Sequence, residues 1–271
     1  MNNDRWDLTR RVSNVLGALF QIGAPLLASE AVGEISAENG TLVVPADYAF
    51  AIWGPIFLLC LFYAGYQALP ANRQTPLLRR VGWFSAGAFF LNGLWEILFP
   101  ARQFILAQIV IVCIFACAAF AYLRLVRSIP GGRRGLGRAD RWLVALPFGL
   151  LFGWITAATL VSFATTFVAL GLLGGGIGEA LLGAVLLLLA GLIASRVILS
   201  GRAGPVVGYV AYAGAVLWAL LGVVLNQYDA SILTTGAALV AAVPVALALL
   251  DRFPGWPRQG ARRVPSAEAS A

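Results

Sequence analysis

The sequence predicts an all-α integral membrane protein of about eight transmembrane helices, with both termini in the cytoplasm. Three observations carry that expectation. The chain of 271 residues is 60% hydrophobic and only 11% charged, with a mean hydropathy of +0.85. An ordinary soluble domain has roughly 25% charged residues. Apolar runs of about 20 residues recur along the chain, each long enough to cross a hydrocarbon core of about 30 Å. Finally, all 19 basic residues are Arg, and the expected spans leave 18 of them on one side, with Arg102 alone on the other. Cytoplasmic loops carry this kind of excess, and one span too many or too few would scramble it. The net charge of +7 is therefore a matter of topology and does not point to nucleic acid.

The spans are expected at 12–29, 47–69, 81–99, 103–125, 142–170, 179–199, 205–225 and 231–250. In the first, Arg10 and Arg11 precede the apolar run as an inner anchor. The same pair, with Ala28-Ser29, has the outline of a twin-arginine signal, but no clean small-x-small cleavage site follows. The outer loop 30–46 carries Glu30, Glu34 and Glu38 and no basic residue.

The second span opens PADYAFAIWGPIF, from Pro45. Phe50, Trp53, Phe57, Cys60, Ala64 and Gln67 recur at spacings of three and four, so they share one helical face. A helix–helix seam is the ordinary explanation of such a stripe. Pro55 adds a second, because its missing N–H frees the Ala51 carbonyl and predicts a kink beside Trp53. A freed carbonyl in a bilayer must be met by neighbours, water or ligand.

The third span ends FFLNGLWEILFP. Asn92 and Glu96, at i and i+4, lie on one face with Trp95 beside them. Counting 1.5 Å per residue from Pro100, Asn92 lies roughly 12 Å and Glu96 roughly 6 Å below the outer end. Asn92 is either interhelical glue or a polar contact in a pocket. Glu96 is either a proton or cation site or, as its shallow depth favours, a carboxylate reaching interfacial water or Arg102. In the fourth span Cys113 and Cys117 share a face. Like Cys60 they lie in apolar runs, as small packing residues and not as a disulfide framework or metal site.

The inner loop 126–141 is dense in Arg, Gly and Pro, and suits anionic lipid headgroups. The fifth span, LPFGLLFGWITAATLVSFATTF, holds a Gly149/Gly153 pair that predicts close helix packing. Thr156, Thr159, Ser162 and Thr166 form a polar stripe, either glue or a pocket wall. Trp154, near mid-depth, needs a partner for its indole N–H. The last three spans are rich in Leu, Ala and Val, Trp218 apart, and look like structural additions. The tail from Asp251 has a disordered composition.

No nucleophile–base pair, phosphate-binding glycine loop or metal cluster is visible, so no enzyme and no required cofactor is expected. The absence of His removes His-ligated haem, His acid–base chemistry and the usual zinc sites.

Pro45, Tyr48, Phe50 and Trp53, then Asn92 with Trp95, then Pro147 with Trp154, occur in an order that resembles the TspO/MBR family. These are tryptophan-rich sensory proteins related to the mitochondrial translocator, or peripheral benzodiazepine receptor. The resemblance covers about residues 12–170, and the loop 30–46 falls where the family's pocket is capped. The chain departs from the pattern in the spacing of three from Phe50 to Trp53, in a Pro147-to-Trp154 gap longer by about a turn, and in Glu96.

What the resemblance implies is a five-helix core at 12–170 after a cytoplasmic segment 1–11. Three added helices at 171–250 and the tail 251–271 would follow. It further implies a receptor or transporter-like protein of the cell (inner) membrane, able to form a homodimer. Such a protein binds hydrophobic planar ligands, tetrapyrroles such as porphyrins above all and sterols second. The binding residues would be Phe50, Trp53, Phe57, Asn92, Trp95, Trp154, Thr159 and Ser162. A proton- or solute-coupled transporter using Glu96, with Pro55 and Pro147 marking flexible helices, is the alternative. A structural or assembly protein is the third.

Overall fold

The computed structural model describes residues 2–27, 32–128, 136–200 and 204–252. Ala28-Ser29, Glu30, Arg133, Arg134, Arg202 and the tail beyond Arg252 lie outside the described residues. The described residues form helices joined by turns, with no strand among them, in the order α1 Asn2–Gly23, α2 Val32–Glu38, α3 Trp53–Ala68, α4 Pro76–Leu98 and α5 Phe104–Arg127. There follow α6 Arg138–Asp140, α7 Leu146–Ala169, α8 Ile177–Ser200, α9 Val206–Gln227 and α10 Ile232–Leu250. Short 3₁₀ segments precede α2 and α3, at Ala24–Leu27 and Asp47–Ile52, and a third links α3 to α4 at Pro70–Asn72.

Among the described residues, six stretches are long and apolar enough to cross a membrane: Asp47–Ala68, Phe104–Arg127, Arg138–Ala169, Ile177–Ser200, Val206–Gln227 and Ile232–Leu250. The broken pair Asp4–Leu27 with Val32–Glu38 raises the number to seven if it counts as one span. Helix α4, which carries Arg79, Arg80, Asn92 and Glu96, is not among them. The protein is an all-α integral membrane protein.

Polar contacts tie the helix ends into two layers. At one end Arg79 pairs with Asp7, Arg10 donates to the Leu78 carbonyl at 3.0 Å, and the Tyr66 hydroxyl donates to Asp140 at 3.0 Å. The Arg252 guanidinium lies over the Tyr209 ring, 4.6 Å from its centroid. At the other end Arg102 pairs with Glu38 at 2.7 Å, and Glu179 accepts the Leu42 N–H at 2.8 Å. The expected pairing of Arg102 with Glu96 is not formed. The guanidinium turns to the exposed Glu38, where neither charge must be desolvated.

Two expectations about proline change. Pro55 does not kink a continuous helix. Residues 47–52 are wound as a 3₁₀ segment and α3 begins only at Trp53, so Pro55 falls in a first turn where its missing N–H costs little. The Ala49 carbonyl at this change of winding accepts the indole N–H of Trp218 at 3.0 Å. Pro147 likewise opens α7, directly after a five-residue π-helical turn, Arg141–Ala145.

Gly149 and Gly153 pack α7 onto α9. A Cβ at Gly149 would lie 2.1 Å from the Gly208 carbonyl oxygen, and one at Gly153 2.3 Å from that of Tyr212. Only glycine permits the two backbones to approach so closely.

Candidate ligand-binding site

The cavity of interest forms where α4 and α7 meet the segment between α2 and α3. Its free volume is about 30 Å³, room for a water or two, so a larger ligand enters only as the walls part. Trp95 of α4, Phe99 just past its end and Phe50 from the 3₁₀ turn form an aromatic side. Trp154, Ala157, Ala158, Val161, Ser162 and Thr165 form the α7 wall. Val32 and Ser36 of α2, with Pro45, form the roof, and Ala219 of α9 closes the back.

The roof is built by the chain after α2. Gly40, with φ of 51°, turns the backbone through a left-handed conformation that suits glycine. Residues 43–45 are then buried. Their backbone is held by the last helices. Asn226 and Gln227 side chains donate to the Val44 carbonyl at 3.0 and 3.1 Å, and the Ala46 N–H donates to the Gly222 carbonyl at 3.0 Å. Helices α8 and α9 thus fix the roof, a role beyond the structural addition expected of them.

The tryptophans form one cluster. Trp53 lies edge-on to Trp154, with ring centroids 5.9 Å apart, and 6.3 Å from Trp95. Phe50 meets Trp154 edge-on at 6.1 Å, and Phe57 stacks on Trp53 at 5.2 Å. Trp53 and Phe57 therefore back the cavity through the rings that line it. Among the described residues, none of the three indole N–H groups of Trp53, Trp95 and Trp154 has a hydrogen-bond partner, nor does the Ser162 hydroxyl. All four atoms are buried. Buried donors are nearly always bonded, so a group of unmet ones at a cavity marks a place where something else supplies the acceptors.

Two residues expected at the site stand apart from it. Asn92 donates to Gln21 on α1 at 3.4 Å, so it serves as interhelical contact. Thr159 donates to the Ile155 carbonyl at 2.7 Å and does not line the cavity. The hydroxyl stripe of α7 and its cavity wall are offset by about one residue, roughly 100° of helix rotation. Thr156 and Thr166 are spent in the same way, on backbone carbonyls one turn back. Besides Trp154 and Ser162, the wall is made of Ala157, Ala158, Val161 and Thr165, and Ala and Val carry no chemical signal in a sequence. Glu96 is 3% exposed with no partner for its Oε1. No group of three or more potential metal-ligating residues occurs among the described residues.

No curated protein and no solved structure matches the chain. The family model for TSPO-like proteins matches residues 12–250, running through all the long helices and through every residue of the cavity. The chain belongs to the family of TSPO-like proteins.

Proposed function

We propose that this multi-pass membrane protein is a receptor or sensor for a planar hydrophobic ligand carrying hydrogen-bond acceptors, tetrapyrroles such as porphyrins first and sterols second. The observation that supports this most is the pair of unpartnered indole N–H groups of Trp95 and Trp154, the two tryptophans that line one aromatic-walled cavity, with the unpartnered Trp53 in the ring layer behind them. An indole can only donate. A flat ring system satisfies the aromatic faces, and acid side chains of a tetrapyrrole supply acceptors that a pure hydrocarbon lacks. With no His in the chain, such a ligand is held by rings and hydrogen bonds, not by an imidazole–iron bond. The membrane is the cell (inner) membrane, and the Arg-rich ends face the cytoplasm and its anionic lipid headgroups. A homodimer is the assembly the family likeness suggests.

Titration of purified protein with protoporphyrin IX, followed by Trp fluorescence, tests the reading. Saturable quenching is expected, weakened in Trp154→Ala and Trp53→Ala. Quenching that never saturates, or that both variants retain unchanged, overturns it.

A further inference from the structure

A second feature lies on the outer side of the bundle, at its arginine-rich end, and does not depend on the tetrapyrrole reading. Arg80 stands near the start of α4, and Arg124 and Arg127 stand in the last turn of α5, all three exposed. Two of them cross the seam between these helices in opposite directions. Arg80 Nη1 reaches from α4 to the Ser128 hydroxyl, just past the end of α5, at 3.4 Å. Ser128 spends its own proton on the Arg124 carbonyl at 2.6 Å, so its oxygen is the acceptor. Arg124 reaches back to lie over the Phe84 ring of α4, with Cζ 4.6 Å from the centroid, and Phe84 meets Phe120 of α5 at 5.4 Å. Arg80 and Phe84 are one turn apart on α4, as are Phe120 and Arg124 on α5. Both guanidinium groups therefore end on one seam, separated by roughly one helical turn of about 5 Å.

Among the described residues, no carboxylate lies within ion-pair distance of Arg80, Arg124 or Arg127. The acids at this end are engaged elsewhere: Asp7 faces Arg79 and Arg10, and Asp140 accepts the Tyr66 hydroxyl. Like charges held this close repel, and more strongly beside apolar surface than in open water. An anion between them relieves the repulsion. Each guanidinium is a planar fork that matches phosphate oxygens, and stacking on Phe84 occupies a face of Arg124 while leaving its N–H edge free.

The neighbouring rings give the depth. Trp83 and Phe120 are exposed on the same stretch of α4 and α5, and the exposed Trp6 packs edge-on against Trp83 at 6.1 Å. Exposed aromatic rings of this kind gather at the membrane–water interface, at the level of the lipid headgroups. Further along α5 the face of Phe120 continues through the exposed Cys113 and Ile109, an apolar surface for acyl chains. Charge above and apolar surface below match one phospholipid molecule.

We infer that the Arg80–Arg124 seam binds a single anionic phospholipid of the adjoining leaflet, its phosphate held between the two guanidinium groups and its chains along α5. This rests on the attraction of the Arg-rich end for anionic headgroups and narrows it to one place. A zwitterionic lipid fits less well, because its phosphate is accompanied by an ammonium that the arginines repel. Arg127, one turn beyond Arg124, adds a third positive charge and strengthens the preference.

Native mass spectrometry of the full-length protein in detergent, with dioleoyl phosphatidylglycerol and dioleoyl phosphatidylcholine titrated in competition, tests this. One phosphatidylglycerol per chain should be retained in preference to phosphatidylcholine. Its binding should weaken by about tenfold or more in the double variant Arg80→Gln with Arg124→Gln, since charge-assisted bonds are lost. Arg5→Gln with Arg138→Gln removes the same charge from exposed positions outside the seam, and should bind as wild type does. Each variant is first checked for a monodisperse elution profile. If the seam variant fails to fold, Arg80→Gln alone decides, with a loss of about fivefold expected. Equal weakening in the two double variants, or none in the seam variant, overturns the site and leaves only a general attraction. No preference for phosphatidylglycerol in wild type overturns both.

Discussion

Trp53 and Trp154 meet edge to face with ring centroids 5.9 Å apart, and neither indole N–H has a partner. The pair has the packing of a core and the polarity of a site, so ligand binding and stability should separate. Trp154→Phe keeps the aromatic face and removes the donor. Because an unmet buried donor destabilises the free protein, this variant should unfold no earlier than wild type in a detergent melt. Its protoporphyrin affinity should fall about fivefold, the worth of one hydrogen bond of about 1 kcal/mol. A lower melting temperature with unchanged affinity would make the tryptophan a packing residue only.

The roof gives a second prediction. Gln227 donates to the Thr41 and Val44 carbonyls at 3.4 and 3.1 Å. Gln227→Leu leaves those acceptors with fewer donors, a cost of about 1–3 kcal/mol if one goes unsatisfied. Amide hydrogen exchange over residues 41–46 should speed up at least fivefold, with little change in α4 or α5. Uniform change across the bundle, or none over 41–46, would show that α9 does not hold the roof.

The glycines supply a third. Gly153→Val places a side chain where even a Cβ would lie 2.3 Å from the Tyr212 carbonyl oxygen. Helices α7 and α9 must then part, and a loss of several kcal/mol is expected, as for severe overpacking. Gly54→Ala is the control. Its Cβ would meet nothing within 4 Å, and it gains up to about 1 kcal/mol of helix propensity. A thermal melt should show the first variant collapsing and the second unchanged or more stable.

Much of this was legible from residue types and spacing, and what was not has a physical reason. Long apolar runs placed most of the long helices to within a few residues, because a bilayer imposes length and composition together, but α1 and α4 begin ten and five residues before the expected spans at 12 and 81, at Asn2 and Pro76. Gly149 and Gly153 announced a close contact, since few other roles explain such a pair. The Trp cluster was legible because each of its members is rare in mid-membrane. The α7 wall was not, because Ala157, Ala158 and Val161 look the same whether they face lipid, helix or cavity. Nor was the anchoring of the roof, which depends on Asn226 and Gln227 meeting a loop more than 180 residues earlier in the chain. Pro55 misled because a helix boundary inside an apolar run has no mark in composition.

Arg10 was legible only as an interfacial anchor, yet it is 1% exposed. Its Nη1 donates to Gln67 Oε1 and to the Leu78 carbonyl, both at 3.0 Å, while Asp7 stands 3.7 Å from Nη2. The guanidinium lies over Gly82, where an added Cβ would be 2.7 Å from Arg10 Cδ. A planar fork with several donors suits these dispersed acceptors, and a lysine cannot reproduce it. Arg10→Lys should therefore destabilise the bundle by about 2–4 kcal/mol, close to the cost of breaking a buried polar network. Arg5→Lys, at an exposed position, should cost nothing measurable. Gly82→Ala should also destabilise, but Arg10→Lys with Gly82→Ala should cost less than the two separately, because the first change loosens the side chain that the second obstructs. Melting curves for the three variants close this cycle, and strict additivity would show that Arg10 and Gly82 are not coupled.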